Sequence, residues 1–419
     1  MEKKVALVLG GVINHCVLIE KLKKRGYYTI LIDYLDDSPA KHVADEHIQI
    51  STFDIDGIKE VAKERGASLI INACLDQINE GICKIAEELN LPHPYSYETA
   101  MDVADKERMK AKMQQGGIPT TPFLCVTSPD ELDGMTLNLP VFVKPADMSG
   151  SNGVSRASTL EEAKTAVQKA LDMSRDKRCI VEEEALGDEH SIYCFPYGGK
   201  GNVLMVARRY TDNCSEDHVV KSVATLAPAM LSDAVYQKLV WIADRITEVF
   251  GLENTPMFYQ AIIKGDTVNV IELAGRMAGG FSYRTILENT GFDLFDATIN
   301  GFLREPNVMD YTKPKNYLSI SSMYAESCVL DRYEGYQPLL DDGTIFDIQL
   351  SRQSGRVIKE GRANGNKIGF IINKSDNVDD LLGKIETSFQ ALNVFGKDGK
   401  QHLKKSFHLT KDMIQEDGK

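Results

Sequence analysis

The segment Val141-Phe142-Val143-Lys144-Pro145-Ala146-Asp147-Met148-Ser149-Gly150-Ser151-Asn152-Gly153-Val154 constrains the chain most, because an apolar strand runs into a lysine and then into a loop of small residues. Pro145 removes an N–H and stops the ladder, while the two glycines let the loop backbone turn its amides toward an anion. Lys144 supplies the countercharge, so the segment suits a polyphosphate. Turns of Ser, Asn and Gly are also common on solvated surfaces, and alone the segment reads that way. Two acidic strand ends downstream, Glu182-Glu183-Glu184 and Glu272-Leu273-Ala274-Gly275-Arg276, tip the balance, since phosphate, metal and base contacts could then share one cleft.

At 419 residues the chain is too long for one core and suggests roughly three domains of ~150 residues. Its formal charge of −13 repels a phosphate backbone, which argues against nonspecific nucleic-acid binding and for small-molecule partners. Met1-Glu2-Lys3-Lys4-Val5 leads straight into a strand without a signal-peptide core, and no apolar run approaches ~18 residues, so a cytoplasmic protein with no membrane span is expected. Cysteines 16, 74, 83, 125, 179, 194, 214 and 328 form no CxxC pair and read as reduced, buried thiols. The histidines make no HxxH or HExxH spacing, so structural zinc has no support.

Strand and helix alternate at the start: Val5 to Leu9, helix Ile13 to Lys24, strand Tyr28 to Ile32, helix Ile58 to Arg65, strand Leu69 to Ala73, helix Glu80 to Leu89. This order implies a doubly wound parallel sheet. Gly10-Gly11 and Asp33 invite a dinucleotide reading, but the later glycines of GxGxxG are missing, and a plain strand-to-helix turn is the better reading. Thr99 to Gln115 is helical, and Gly116-Gly117-Ile118-Pro119-Thr120-Thr121-Pro122 is a stop and linker. Thr159 and Glu162 form a capping box, and Cys179-Ile180-Val181 is a buried strand. Ser232 caps a long helix striped by Val235, Leu239, Ile242, Ile246 and Val249, with Trp241 expected to pack beside the stripe and Gly251 ending it. Beyond about residue 311 a mixed C-terminal domain follows, without a chemical motif, and the tail from Thr410 is expected to fray.

In the hairpin Tyr259 to Glu272, a three-residue loop Gly265-Asp266-Thr267 pairs 264 with 268 and sets Gln260 opposite Glu272. An amide and a carboxylate so placed suit a hard divalent cation that keeps several waters, although from the hairpin alone a cross-strand polar pair on a wet face is the better reading. Arg276, four residues beyond Glu272, offers a planar fork for a transferring phosphoryl group.

The ordered set resembles the ATP-grasp superfamily over roughly the first three quarters of the chain. Asp105-Lys106 with Met109, Met113 and the 116–122 linker is similar to its lysine-bearing helix, Val143-Lys144-Pro145 with Ser149 to Val154 to its lysine and lid loop, and Ile180 to Glu189 to its hinge strand. The resemblance implies ATP as substrate and Mg2+ or Mn2+ as metal. Lys106 and Lys144 would contact the α- and β-phosphates, and Ser149, Gly150, Ser151, Asn152 and Gly153 would fold over the β- and γ-phosphates. Glu182 and the Ala185 backbone would meet adenine, Glu189 the ribose, Glu272 and Gln260 the metal, and Arg276 with Lys144 the reacting phosphoryl group. Glu183 and Glu184 stay solvated strand-edge residues. The Glu-x-Asn-Pro-Arg pattern of many members is altered, because Ala274 and Gly275 replace the asparagine and proline. The Glu-x-x-x-Arg form resembles L-amino acid ligases, and Gln260 the carbamoyl phosphate synthetase branch.

What the resemblance implies is a multidomain α/β and α+β chain: a Rossmann-like domain over 1–98, a linker helix over 99–120, a lid over 121–205, a core over 206–310 and a mixed C-terminal domain over 311–419. The expected activity is amide or peptide bond formation from a small-molecule carboxylate and an amine, amino acids foremost, through an acylphosphate. A homodimer is compatible with it. The alternatives are a bicarbonate-using carboxylase or carbamoyl phosphate synthetase-like enzyme, a noncatalytic nucleotide-binding module, and a nicotinamide-dependent oxidoreductase.

Overall fold

The short apolar strands at the start pair in parallel across one sheet in the order Glu46–Ile48, Tyr28–Ile32, Val5–Leu9, Ala67–Ile71. Leu7, Val8, Ile30, Leu31, Ile70 and Ile71 are buried, which accounts for unbroken apolar runs instead of alternation. The computed structural model describes residues 3–148, 153–212, 221–360 and 365–415. The chain forms two units, one of residues 1–187, 192–204 and 231–311, the other of residues 188–191, 205–230 and 312–419.

In the first unit, helices Ile13–Lys24 and Ile55–Glu64 join parallel strands, and Ile78–Leu89 follows the last of them. The second begins three residues earlier than its apolar spacing indicates, because the Asp54 side chain accepts from Gly57 N at 3.0 Å and caps it. The expected helix Thr99 to Gln115 is two helices, Tyr97–Ala104 and Lys106–Gln115. Asp105 between them is extended and accepts from Arg108 N, so a residue read as mid-helix is a cap that restarts the helix at Lys106.

A four-stranded antiparallel sheet follows in the order Phe123–Val126, Cys179–Glu183, Val141–Pro145, Ser155–Ala157. Helix Leu160–Met173 covers it, with Ala163, Val167 and Ala170 buried against Val141, Val143 and Val181. Thr159 accepts from Glu162 N at 3.2 Å, while Glu162 accepts from Ser158 N at 2.7 Å, one residue before the cap. Helix Asp233–Phe250 buries Val235, Leu239, Ile242 and Ile246 as the stripe predicts, and it is capped by Ser232 and closed by Gly251 at φ +62°. Trp241 is a correction: at 51% exposure it faces solvent instead of packing.

In the second unit, residues 205–212 of strand Val203–Asp212, then Lys221–Ala227, Tyr317–Tyr324, Lys367–Ser375 and Asp347–Leu350, run antiparallel in that order. Helix Val378–Ala391 buries Leu381, Ile385 and Phe389 in that unit's core. The tail expected to fray carries helix Lys411–Gln415 instead, while residues 416–419 lie outside the described residues. Cys214 lies outside the described residues. Of the other seven cysteines, all free, Cys16, Cys125 and Cys328 are half-buried and the rest are buried as expected. Among the described residues no helix is long and apolar enough to cross a membrane.

Candidate active site

The first unit gathers charged side chains from four separated segments. Strand pairing of Val141–Pro145 with Cys179–Glu183 brings Lys144 beside Glu182, with Nζ 2.5 Å from Oε1. Lys110, one helical turn after Lys106, reaches the other oxygen from below, with Nζ 2.8 Å from Oε2. Its side chain is 1% exposed and that of Glu182 is 8% exposed. Lys110 also donates to Thr120 Oγ1 at 2.9 Å and Thr121 Oγ1 at 3.2 Å, and Thr121 donates to Glu182 Oε2 at 3.1 Å. Burial pushes the Glu182 carboxyl up, but the charges and hydrogen bonds of Lys144 and Lys110 outweigh that and hold it at about 2. Burial pulls the Lys110 ammonium below its ordinary value, against the attraction of Glu182. Lys110 and Thr121 carried no signal in the sequence. Glu183 and Glu184 face local partners, Asn138 and Arg156 respectively, in keeping with a structural role.

The linker ties this cluster to the hairpin. Val270 N donates to Pro119 O at 2.8 Å and Thr120 Oγ1 donates to Val270 O at 2.7 Å, which fixes strand Thr267–Ala274 beside the helix of Lys106. Lys106 Nζ lies 3.8 Å from Glu272 Oε1 and donates to Met148 O. Gln260 does stand opposite Glu272, but by a different route from the expected one. The turn is two residues, Lys264 pairs with Thr267, and a bulge after Gln260 inserts Ile271 to restore the register.

Arg276 bridges to a residue that sequence reading passed over. Its Nη2 meets Asp76, Nη1 donates to Met277 O at 2.6 Å, and its guanidinium lies 4.9 Å from the Phe258 ring centre. Its Nε is buried without a hydrogen-bond partner among the described residues. Behind it, Asn72 is 3.1 Å from His15 Nε2 and donates to Asn79, Asn79 donates to Tyr95 OH, and Tyr95 donates to Gly275 O at 2.8 Å. Burial lowers His15 to about 4, so its imidazole is neutral at pH 7. At the Gly10-Gly11 turn, a Cβ on Gly11 would lie 2.3 Å from Ser38 Oγ and 2.7 Å from Asp33 Oδ2, so these side chains already cover it.

A cavity of about 360 Å³ opens beside the hinge, lined by Thr121, Pro122, Glu184, Ala185, Leu186 and Asn269 among others. The hinge lies hard against strand Met257–Lys264: a Cβ on Gly187, at φ +131°, would come 2.2 Å from Ile263 O. Gly153, at φ +75°, sits against Pro145 and Met173, whereas Ser149, Gly150, Ser151 and Asn152 lie outside the described residues. Glu189 belongs to the second unit, where Arg209 Nη1 donates to its Oε1 at 2.9 Å.

The family described as D-ala D-ala ligase C-terminus matches residues 113–257. An L-arginine-specific L-amino acid ligase of Bacillus subtilis is 22% identical over 310 residues, 70% of this chain and 73% of that protein. The L-amino acid ligase of Bacillus licheniformis superposes with a TM-score of 0.80 at 18% identity, over 95% of this chain and all of that one. The biotin carboxylase domain dimer of the Hydrogenobacter thermophilus 2-oxoglutarate carboxylase, solved with MgADP and bicarbonate, does so with a TM-score of 0.76 at 15% identity, over 99% of this chain and 98% of that one. The family match covers about a third of the chain, and at these identities the structural likenesses show that the chain shares the fold of these ATP-dependent enzymes.

Proposed function

We propose that the protein joins a small-molecule carboxylate to an amine, with amino acids as the first candidates, through an acylphosphate and with release of ADP and phosphate. The observation that carries this reading is the meeting in one unit of Lys106 with Glu272 and of Lys144 and Lys110 with Glu182, side chains from segments far apart in sequence. ATP is the phosphoryl donor. Glu182 and the Ala185 backbone take the adenine edge, Lys144 and Lys106 take the α- and β-phosphates, and the 149–153 loop covers the β- and γ-phosphates. Arg276 holds the phosphoryl oxygens, a role supported by its unpartnered buried Nε.

Glu272 and Gln260, two hard oxygen donors on one register, fit a small divalent cation that keeps much of its water. Held by Glu272 and Gln260, Mg2+ would supply positive charge to offset that of the phosphate oxygens. The carboxylate substrate attacks the γ-phosphorus in line, ADP departs, and the amine captures the acylphosphate with loss of phosphate. Residues of the site position the reactants and exclude water, and no covalent enzyme nucleophile is required. The same reading places the protein in the cytoplasm and divides it after residues 98, 120, 205 and 310.

The test is ADP release across a matrix of amino acids, other acids including bicarbonate, and amines, with hydroxylamine as trap. A hydroxamate from one acid, formed only with ATP, is the expected result. ADP release independent of every acid and amine would refute the ligase reading.

A further inference from the structure

Lys110 is the most deeply buried charged side chain of the cluster, and the sequence gives it no role. Its three N–H groups meet three acceptors: Glu182 Oε2, Thr120 Oγ1 and Thr121 Oγ1. Glu182 Oε2 in turn accepts from Lys110 and Thr121, which uses both of its lone pairs. Among the described residues Oε1 accepts from Lys144 alone, which leaves one lone pair of the carboxylate, on the Lys144 side. Thr121 also lines the hinge cavity.

We infer that Lys110 and Thr121 are positioning residues for nucleobase selectivity: by saturating Oε2 they hold Glu182 ionised and offer one acceptor, on Oε1, to the base edge. This rests on the proposal that Glu182 meets the base. An exocyclic amine, as in adenine, donates to that lone pair. A carbonyl in the same place, as in guanine or hypoxanthine, brings acceptor against acceptor in a dry site. Mismatches of this type discriminate strongly because the buried acceptor is left unpaired. Without the clamp, the carboxylate can rotate or bind a proton and then donate to a carbonyl, so selectivity falls. The low carboxyl pKa of Glu182 agrees with a group that never presents a donor near neutral pH.

The experiment compares kcat/KM for ATP, GTP and ITP, by release of the nucleoside diphosphate, in the wild-type enzyme, Lys110→Met and Thr121→Val. The expected result is a fall of at least about tenfold in the ATP:GTP and ATP:ITP ratios of Lys110→Met, and a smaller fall in the near-isosteric Thr121→Val. The loss in Lys110→Met should deepen below pH 6, where the freed carboxyl begins to bind protons. A Lys110→Met enzyme that is slower with all three nucleotides by the same factor has lost structure only and overturns the inference. Should Lys110→Met fail to fold, unchanged ratios in Thr121→Val overturn it equally. Wild-type protein that binds none of the three nucleotides overturns the ligase reading as well, a result distinct from unchanged selectivity in an active enzyme.

Discussion

Replacing Glu182 by glutamine tests the charge cluster directly. The carboxylate lies between two ammonium groups, at 2.8 Å from Lys110 and 2.5 Å from Lys144, and Lys110 has no access to water. Glu182→Gln keeps the volume and removes the charge, so it strands two like charges in a low-dielectric site. Breaking a buried pair by removing one partner costs about 3–5 kcal/mol. A second route gives a similar figure: a carboxyl brought from 4.5 to about 2 has its ionised form favoured by about 3 kcal/mol, at about 1.4 kcal/mol per pH unit. Because the folded-state pKa is depressed, this stability is fully present above pH 4.5 and is lost as pH falls toward 2. Trp241, the sole tryptophan, lies in the same unit and reports on it by fluorescence. Urea denaturation at pH 7 should show Glu182→Gln less stable by about 3–5 kcal/mol, with the gap narrowing toward pH 2.5. Adding Lys110→Met should restore part of the loss, since it removes one stranded cation. A Glu182→Gln protein within about 1 kcal/mol of wild type at pH 7 would refute the account of the cluster.

Lys144→Ala and Glu272→Ala should each abolish ADP production while far-UV circular dichroism is unchanged, and near-normal turnover in either rejects the assigned site. Arg276→Lys keeps the charge but loses the fork, so kcat should fall about 100-fold, as measured by steady-state ADP release. Gly187→Ala forces a Cβ into Ile263 O and onto a positive φ, so it should destabilise the hinge by about 1–3 kcal/mol and raise KM for ATP, read from melting and kinetics together. In the second unit, burial and the neighbouring Arg209 bring the Lys367 ammonium down to about 8, which penalises its charged form in the folded chain. Lys367→Met should therefore raise stability at pH 7 by up to about 3 kcal/mol, and the gain should shrink between pH 8 and 10.5, as followed by thermal melts across that range.

The parallel sheet, the long helix and the Gln260–Glu272 pairing were legible because apolar spacing and turn residues are local signals. The pairing came out right through a compensation that no local rule supplies, a shorter turn offset by a bulge at Ile271. Asp105 was read as an ordinary helical position, although its capping of the next helix sets where Lys106 begins. Lys110 was invisible for a tertiary reason. It shares a strongly polar helix with Lys106 and Lys112, and only the linker threonines and strand Cys179–Glu183 bury it. Asp76 and the His15–Asn72–Asn79–Tyr95 chain were missed likewise, since each partner is supplied by a different segment.

Arg178, at the foot of strand Cys179–Glu183, donates to Asp105, Glu107 and Asp176 together. Asp105 and Glu107 flank Lys106 in sequence, so the antiparallel sheet grips the root of that helix as a crank grips its shaft. The sheet and the first turn of the Lys106 helix are thereby joined through one guanidinium, so neither can shift without straining three charge-assisted hydrogen bonds.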